Sequence, residues 1–185
     1  MNPNVTLVIG GARSGKSTFA EELASEYEFI HYIATSHSYP DDAEWAHRIA
    51  QHRLRRPKSW RVTESMDLVE IVTSATADSC LLIDCLTLWC TRLIDRIDGW
   101  NRLTLPGEIS YLSEALLIDY ESLVAALHEA NARIILVTNE IGHGIVPDNT
   151  GARFFRDQLG ILNLNVAKSA KNVFQVTAGI PTRLR

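Results

Sequence analysis

The residues Gly10-Gly11-Ala12-Arg13-Ser14-Gly15-Lys16-Ser17 fit G-x-x-x-x-G-K-[ST], the pattern of a loop that cradles phosphate. Glycines let backbone approach phosphate oxygens closely, and consecutive N–H groups at a helix start favour an anion. Lys16 is placed to reach the β- and γ-phosphates of a nucleoside triphosphate, and the Ser17 hydroxyl to ligate Mg²⁺. Asp84 is a second candidate. It follows the apolar run Leu81-Leu82-Ile83, the form of a strand whose terminal acid holds the Mg²⁺ water shell opposite Ser17; its bland alternative is an acid capping the next helix. His52 is a third. Trp45, Ile49 and His52 fall on one stripe at a 3.6-residue period and turn His52 toward the protein body, while His47 turns toward water with Gln51. His52 then reads either as a satisfied core residue or as a nucleophile able to form a phosphoramidate, with Arg53, Arg55 and Arg56 next to it to hold phosphate. His143, between Gly142 and Gly144, is a weaker ligand candidate than Asn139-Glu140; His31 and His128 read as structural.

Positioning these groups requires strands that end together. Val5–Ile9 reads as a strand and Ser17–Tyr27 as a helix; Glu28–Ala34 is a second strand, ending at Thr35-Ser36-His37. A helix opens after Pro40 and runs to Leu54, Trp60–Thr63 is a short strand, and Ser65–Ala77 a helix with a capping-type serine. Cys80–Asp84, Arg133–Asn139 and Val173–Ala178 read as buried strands, and 86–97, 112–131 and 150–170 as helices. Residues 98–112, with Gly99, Pro106 and Gly107, read as a long loop, and the tail after Ala178 as short. Strands alternating with helices predict an α/β fold, a mostly parallel sheet covered on both faces, in a single domain over 1–185. Ligands of such sheets bind beyond the strand carboxyl ends. The P-loop, Thr35-Ser36, Glu64, Asp84 and Asn139-Glu140 all fall there, able to line one cleft.

Bulk properties narrow the function classes. Hydrophobic content of 46% and charged content of 22% are ordinary for a globular chain, and a net charge of −4 argues against a general nucleic-acid or lipid surface. No apolar run approaches the roughly 20 residues of a membrane helix, and the first residues lack a signal-peptide pattern. Cys80, Cys85 and Cys90 match no zinc spacing and read as reduced, buried thiols, which points to the cytoplasm.

Taken together, Gly-Gly-Ala-Arg-Ser-Gly-Lys-Ser (10–17), Tyr-Ile-Ala-Thr-Ser (32–36), Arg-Ile-Ala-Gln-His-Arg-Leu-Arg-Arg-Pro (48–57), Trp-Arg-Val-Thr-Glu (60–64), Asp-Cys-Leu-Thr-Leu-Trp (84–89), Val-Thr-Asn-Glu-Ile-Gly-His-Gly-Ile-Val-Pro (137–147), Arg-Phe-Phe-Arg-Asp (153–157) and Ala-Gly-Ile-Pro (178–181) resemble the bifunctional adenosylcobinamide kinase / adenosylcobinamide-phosphate guanylyltransferase family of cobalamin biosynthesis. The resemblance spans nearly the whole chain and implies a RecA-like P-loop NTPase fold. It implies that ATP or GTP phosphorylates the aminopropanol hydroxyl of adenosylcobinamide, and that GTP then donates GMP to the corrinoid phosphate. It places the guanylylated histidine on His52 and maps guanine-nucleotide contacts onto Thr35, Ser36, His37, Arg53, Leu54, Arg55, Arg56 and Glu64. It also implies a homo-oligomer, a trimer in the best-known case. Leu164, Arg92, Lys171 and His143 depart from the family pattern; none lies in the P-loop or at His52 or Asp84. Two other readings fit the P-loop alone: a single-activity kinase of another small alcohol, with His52 structural, and a GTP-dependent switch protein.

Overall fold

Strands that are apolar on both sides, such as Leu81-Leu82-Ile83 and Ile134-Ile135-Leu136-Val137, need both faces of their sheet covered, and the computed structural model, which describes residues 1–36, 47, 50 and 57–185, shows how. In chain order the elements are β1 (Asn2–Gly10), α1 (Lys16–Ala24), β2 (Phe29–Ala34), β3 (Arg61–Glu64), α2 (Leu68–Ser74), β4 (Ser79–Asp84), α3 (Leu86–Arg96), α4 (Gly99–Arg102), α5 (Glu108–Glu129), β5 (Arg133–Asn139), α6 (Thr150–Ser169), β6 (Ala170–Thr177) and β7 (Ile180–Arg183). The strands form one sheet in the order β3-β2-β4-β5-β1-β6-β7. Every pairing is parallel except β6 with β7.

Leu7, Ile33, Ile83 and Leu136 point to one face, where α2, α3, α5 and α6 bury Leu68, Leu93, Leu116 and Leu162 against them. Val8, Tyr32, Leu82 and Val137 point to the other, where α1 seats the small side chains of Ala20 and Ala24 close to the sheet. The α/β architecture expected from the strand–helix alternation is therefore the one that forms. Among the described residues, no helix is long and apolar enough to cross a membrane.

Two segments differ from the sequence-based expectation. Residues 98–112 are not one long loop: α4 occupies Gly99–Arg102, and α5 starts at Glu108 instead of Leu112. Gly107, at φ 81°, turns the chain into α5, Glu108 suits the positive helix start, and Arg102 bonds that same carboxylate. The short tail is also a strand. Ala178 and Gly179 both have positive φ (51° and 81°), which reverses the chain in two residues and pairs Ile180–Arg183 with β6. Pro181 is tolerated because β7 is an edge strand. α2 is shorter than the helix expected over Ser65–Ala77. Ser65 Oγ accepts the Asp67 N–H at 3.0 Å, which makes a turn before the helix rather than its cap. The expected helix to Leu54, with Trp45, Ile49, His52 and Arg53–Arg56, lies outside the described residues, as does His37; His47 is described, helical and exposed.

Candidate active site

The phosphate loop is built on contacts that only glycine permits. Gly10 ends β1, and a Cβ there would come within 2.6 Å of the Val176 carbonyl oxygen and 2.6 Å of Ser14 Oγ. Gly15, at φ 92°, begins the turn into α1, where a Cβ would sit 3.0 Å from Gly179 Cα. The Gly179 N–H donates to the Ser14 carbonyl at 2.8 Å, so the β6–β7 turn backs the loop from behind. Lys16 Nζ curls over the loop and donates to the Gly11 carbonyl at 3.1 Å. Gly11, Ala12 and Arg13 are exposed, Ser14 is buried, and Lys16 and Ser17 are half-buried in the first turn of α1. We expect Gly10→Ala to weaken nucleotide binding by at least about tenfold and to destabilise the fold by about 1–3 kcal/mol, because a strand carbonyl cannot yield as a flexible side chain would. Denaturant unfolding and nucleotide titration of the variant check both numbers.

Asp84 ends β4, half-buried, and its Oδ2 accepts the Tyr32 hydroxyl at 2.8 Å. Tyr32 is itself buried in β2 and stacked on Trp60, with ring centroids 6.5 Å apart. This aligns one carboxylate oxygen. The register places Ala34 beside both Glu64 and Asp84, and Asp84 beside Val137. Asp84 and Glu64 thus flank the end of β2, with Glu64 exposed. β5 runs between β4 and β1 and carries Asn139 to the level of Gly10. The P-loop, Asp84, Glu64 and Asn139-Glu140 share one sheet edge.

Thr35 does not turn its hydroxyl to that edge. It is fully buried, donates to the Cys85 carbonyl at 2.6 Å and accepts the Cys85 N–H at 2.9 Å, fastening the end of β2 to that of β4. Ser36 is half-buried beyond it. Arg92, on α3, donates from Nη1 to the Thr35 carbonyl at 3.4 Å. The loop 140–149 is strapped to α6: Arg156 Nη2 donates to the Gly142 carbonyl at 2.8 Å, and Arg153 Nη1 to that of Pro147 at 2.9 Å. His143 is exposed on this loop. His31 Nε2 lies 2.8 Å from Thr63 Oγ1, and His128 Nε2 3.3 Å from Ser169 Oγ, which suits structural roles for both.

Sequence reasoning passed over Tyr32, Thr87 and Asn163. Tyr32 and Thr87 sit in apolar runs, where period alone marks them as core. Their hydrogen bonds, to Asp84 and to the Asn139 N–H, join strand to strand and helix to strand, pairings that no local pattern announces.

The three cysteines are free and buried. Burial pushes the Cys80 thiol up to about 12 and those of Cys85 and Cys90 to about 11, with Asp84 adding to the rise at Cys85. They should be nucleophilically inert. Iodoacetamide at pH 8 should label none of them in the native protein within minutes and all three after denaturation, as read by intact mass. Rapid native labelling of Cys85 would instead mark an open site at the end of β4.

The donors near the loop suit Mg²⁺. Ser17 and Asp84 offer hard oxygen atoms, and among the described residues no group of three or more His, Cys, Asp or Glu could cage a metal alone. Mg²⁺ keeps waters and takes one or two protein oxygens plus substrate phosphates, which is the donor set this edge offers.

A phosphate loop at the end of a central parallel strand, with an acid ending a strand two places away, defines a P-loop NTPase fold. The solved structure of a prototypical ATPase from the type III secretion system of pathogenic bacteria shares it, with a TM-score of 0.56 at 11% identity over 97% of this chain and 56% of that one. The chain belongs to the cobinamide kinase / cobinamide phosphate guanyltransferase family, which matches residues 6–184. Among its relatives are the bifunctional adenosylcobalamin biosynthesis proteins CobP of Pseudomonas aeruginosa, 40% identical over 97% of this chain and 96% of the relative, and CobU of Salmonella typhimurium, 39% identical over 97% and 98%. The Escherichia coli CobU is 38% identical over 97% and 98%.

Proposed function

We propose that this protein carries out both reactions that its family name describes, as a single-domain enzyme working in the cytoplasm as a homo-oligomer. It phosphorylates the aminopropanol hydroxyl of adenosylcobinamide with ATP or GTP, then moves GMP from GTP onto the resulting corrinoid phosphate, releasing pyrophosphate. The observation that carries this reading is the paired placement of the phosphate loop and Asp84 at one sheet edge in a chain that matches the family over residues 6–184.

In the kinase step, N–H groups of Gly11 to Ser17 surround the β- and γ-phosphates. Lys16, released from the Gly11 carbonyl, offsets the charge that spreads over the transferring phosphoryl oxygens. Ser17 and Asp84 would hold Mg²⁺, which would supply charge to neutralise the phosphates. Tyr32 fixes the Asp84 carboxylate for that task. In the guanylyl step, His52 attacks the α-phosphorus of GTP, the bond to the pyrophosphate oxygen breaks, and GMP stays on the imidazole. The corrinoid phosphate then displaces His52. Two displacements replace one difficult step. Arg53, Arg55 and Arg56 hold the phosphates, and Ser36, His37, Leu54 and Glu64 line the nucleotide; Thr35 contributes by locking the strand ends through Cys85.

Intact-protein mass after incubation with GTP and Mg²⁺ tests this directly. A gain of one GMP, removed by mild acid, is the expected result. GTP binding without any adduct would leave a simple kinase and overturn the guanylyl mechanism.

A further inference from the structure

We infer that Asn139 positions the hydroxyl that receives the phosphoryl group, through an amide oxygen that the fold buries without a partner; this rests on the kinase reading above. Asn139 is the last residue of β5, level with Gly10 on one side and two residues beyond the level of Asp84 on the other. Its main chain is fully engaged. The N–H donates to Thr87 Oγ1 at 2.8 Å, and the carbonyl accepts from Asn163 Nδ2 at 3.0 Å. Asn163 is buried and held in turn by the Thr138 hydroxyl at 2.7 Å, and the next N–H, of Glu140, donates to the Gly10 carbonyl at 3.1 Å. The side-chain Oδ1 is the opposite case: it is buried and has no hydrogen-bond partner among the described residues.

Buried acceptors are ordinarily satisfied. An exception on a side chain that no hydrogen bond among the described residues holds, at a strand end whose backbone is fixed, calls for a donor from outside the chain once the side chain turns to meet it. Ser14 Oγ, over Gly10 in the phosphate loop, is another such atom at the same edge. The phosphate oxygens of the nucleotide cannot meet Oδ1, because they are acceptors as well. The acceptor alcohol can, since it brings a hydroxyl proton. With that proton held on Oδ1, the hydroxyl oxygen presents a lone pair to the γ-phosphorus. The new O–P bond forms as the bond to the β-phosphate oxygen breaks, its electron pair stays on the nucleoside diphosphate, and the proton is lost to water. Asn139 takes no proton itself; it orients the attack.

This separates function from structure in a measurable way, because the structural bonds belong to the Asn139 backbone and survive substitution. Asn139→Ala and the volume-conserving Asn139→Leu are compared with wild type for adenosylcobinamide phosphorylation, ATP affinity and thermal midpoint. We expect kcat to fall about 10- to 100-fold in both, with the ATP Kd within about twofold of wild type. The midpoint should stay level or rise in at least one variant, since an unsatisfied acceptor has been removed. A kcat within about threefold of wild type would overturn the inference. So would an ATP Kd raised about tenfold, which would make the amide a phosphate contact, or an activity loss that follows a falling midpoint in both variants. Absence of corrinoid turnover by the wild type would instead remove the kinase reading and the inference with it, a result distinct from wild type and variants turning over alike.

Discussion

His52→Ala should lower guanylyl transfer by on the order of 10⁴–10⁶-fold while leaving the kinase rate within about threefold of wild type. The asymmetry follows from the chemistry proposed for the two steps. A covalent intermediate needs the nucleophile itself, and no neighbouring arginine can replace an imidazole, since a guanidinium holds its proton at any ordinary pH. Phosphoryl transfer from the triphosphate to an alcohol needs positioning and charge stabilisation, which the phosphate loop and Asp84 supply without His52. Separate assays of adenosylcobinamide phosphorylation and of GMP transfer to adenosylcobinamide phosphate check this, with intact mass showing whether the acid-labile adduct has gone. Loss of both activities in a folded variant would show that His52 serves the triphosphate in general and would sink the division of labour.

Lys16→Ala is expected to impair both activities, each by about 10²–10³-fold, the usual cost of removing one preorganised charge from developing phosphoryl charge. The fold should hardly notice. Lys16 is half-buried, and its contact with the Gly11 carbonyl is of a kind worth about 1 kcal/mol or less when water can replace it. Nucleotide titration and a thermal scan, run beside the two assays, separate lost chemistry from lost structure. A variant that kept guanylyl transfer while losing the kinase would mean that GTP for adduct formation sits away from the loop.

The two substitutions form a pair. One removes a group used in a single step and the other a group used in both, so four rates distinguish a shared triphosphate site from two separate ones. Gly10→Ala adds a geometric control: it changes no charge, yet it forces the loop against the Val176 carbonyl.

Read alone, the sequence determined the fold class and which candidate groups fall at the strand ends near the loop. The reason is that those signals are local. The phosphate loop is eight contiguous residues between a strand and a helix, and Leu81-Leu82-Ile83-Asp84 places an acid at a strand end by its own pattern. Alternation of buried strands with helices then requires parallel crossovers, and parallel strands bring their carboxyl ends to one edge. What the sequence could not show was what each side chain meets there. Strand order decided that β5, and hence Asn139, stands between the loop and Asp84. Long-range bonds decided that Tyr32 aligns Asp84, that Thr35 serves the Cys85 backbone, and that Gly179, in what had read as a tail, supports Ser14 from 165 residues away along the chain. Pro181 by itself speaks against a strand after the Ala178-Gly179 turn, an objection that fails only at a sheet edge. Periodicity reports which face of an element is buried; it carries no information about which partner fills that face, and at this site the partner sets the role of the residue.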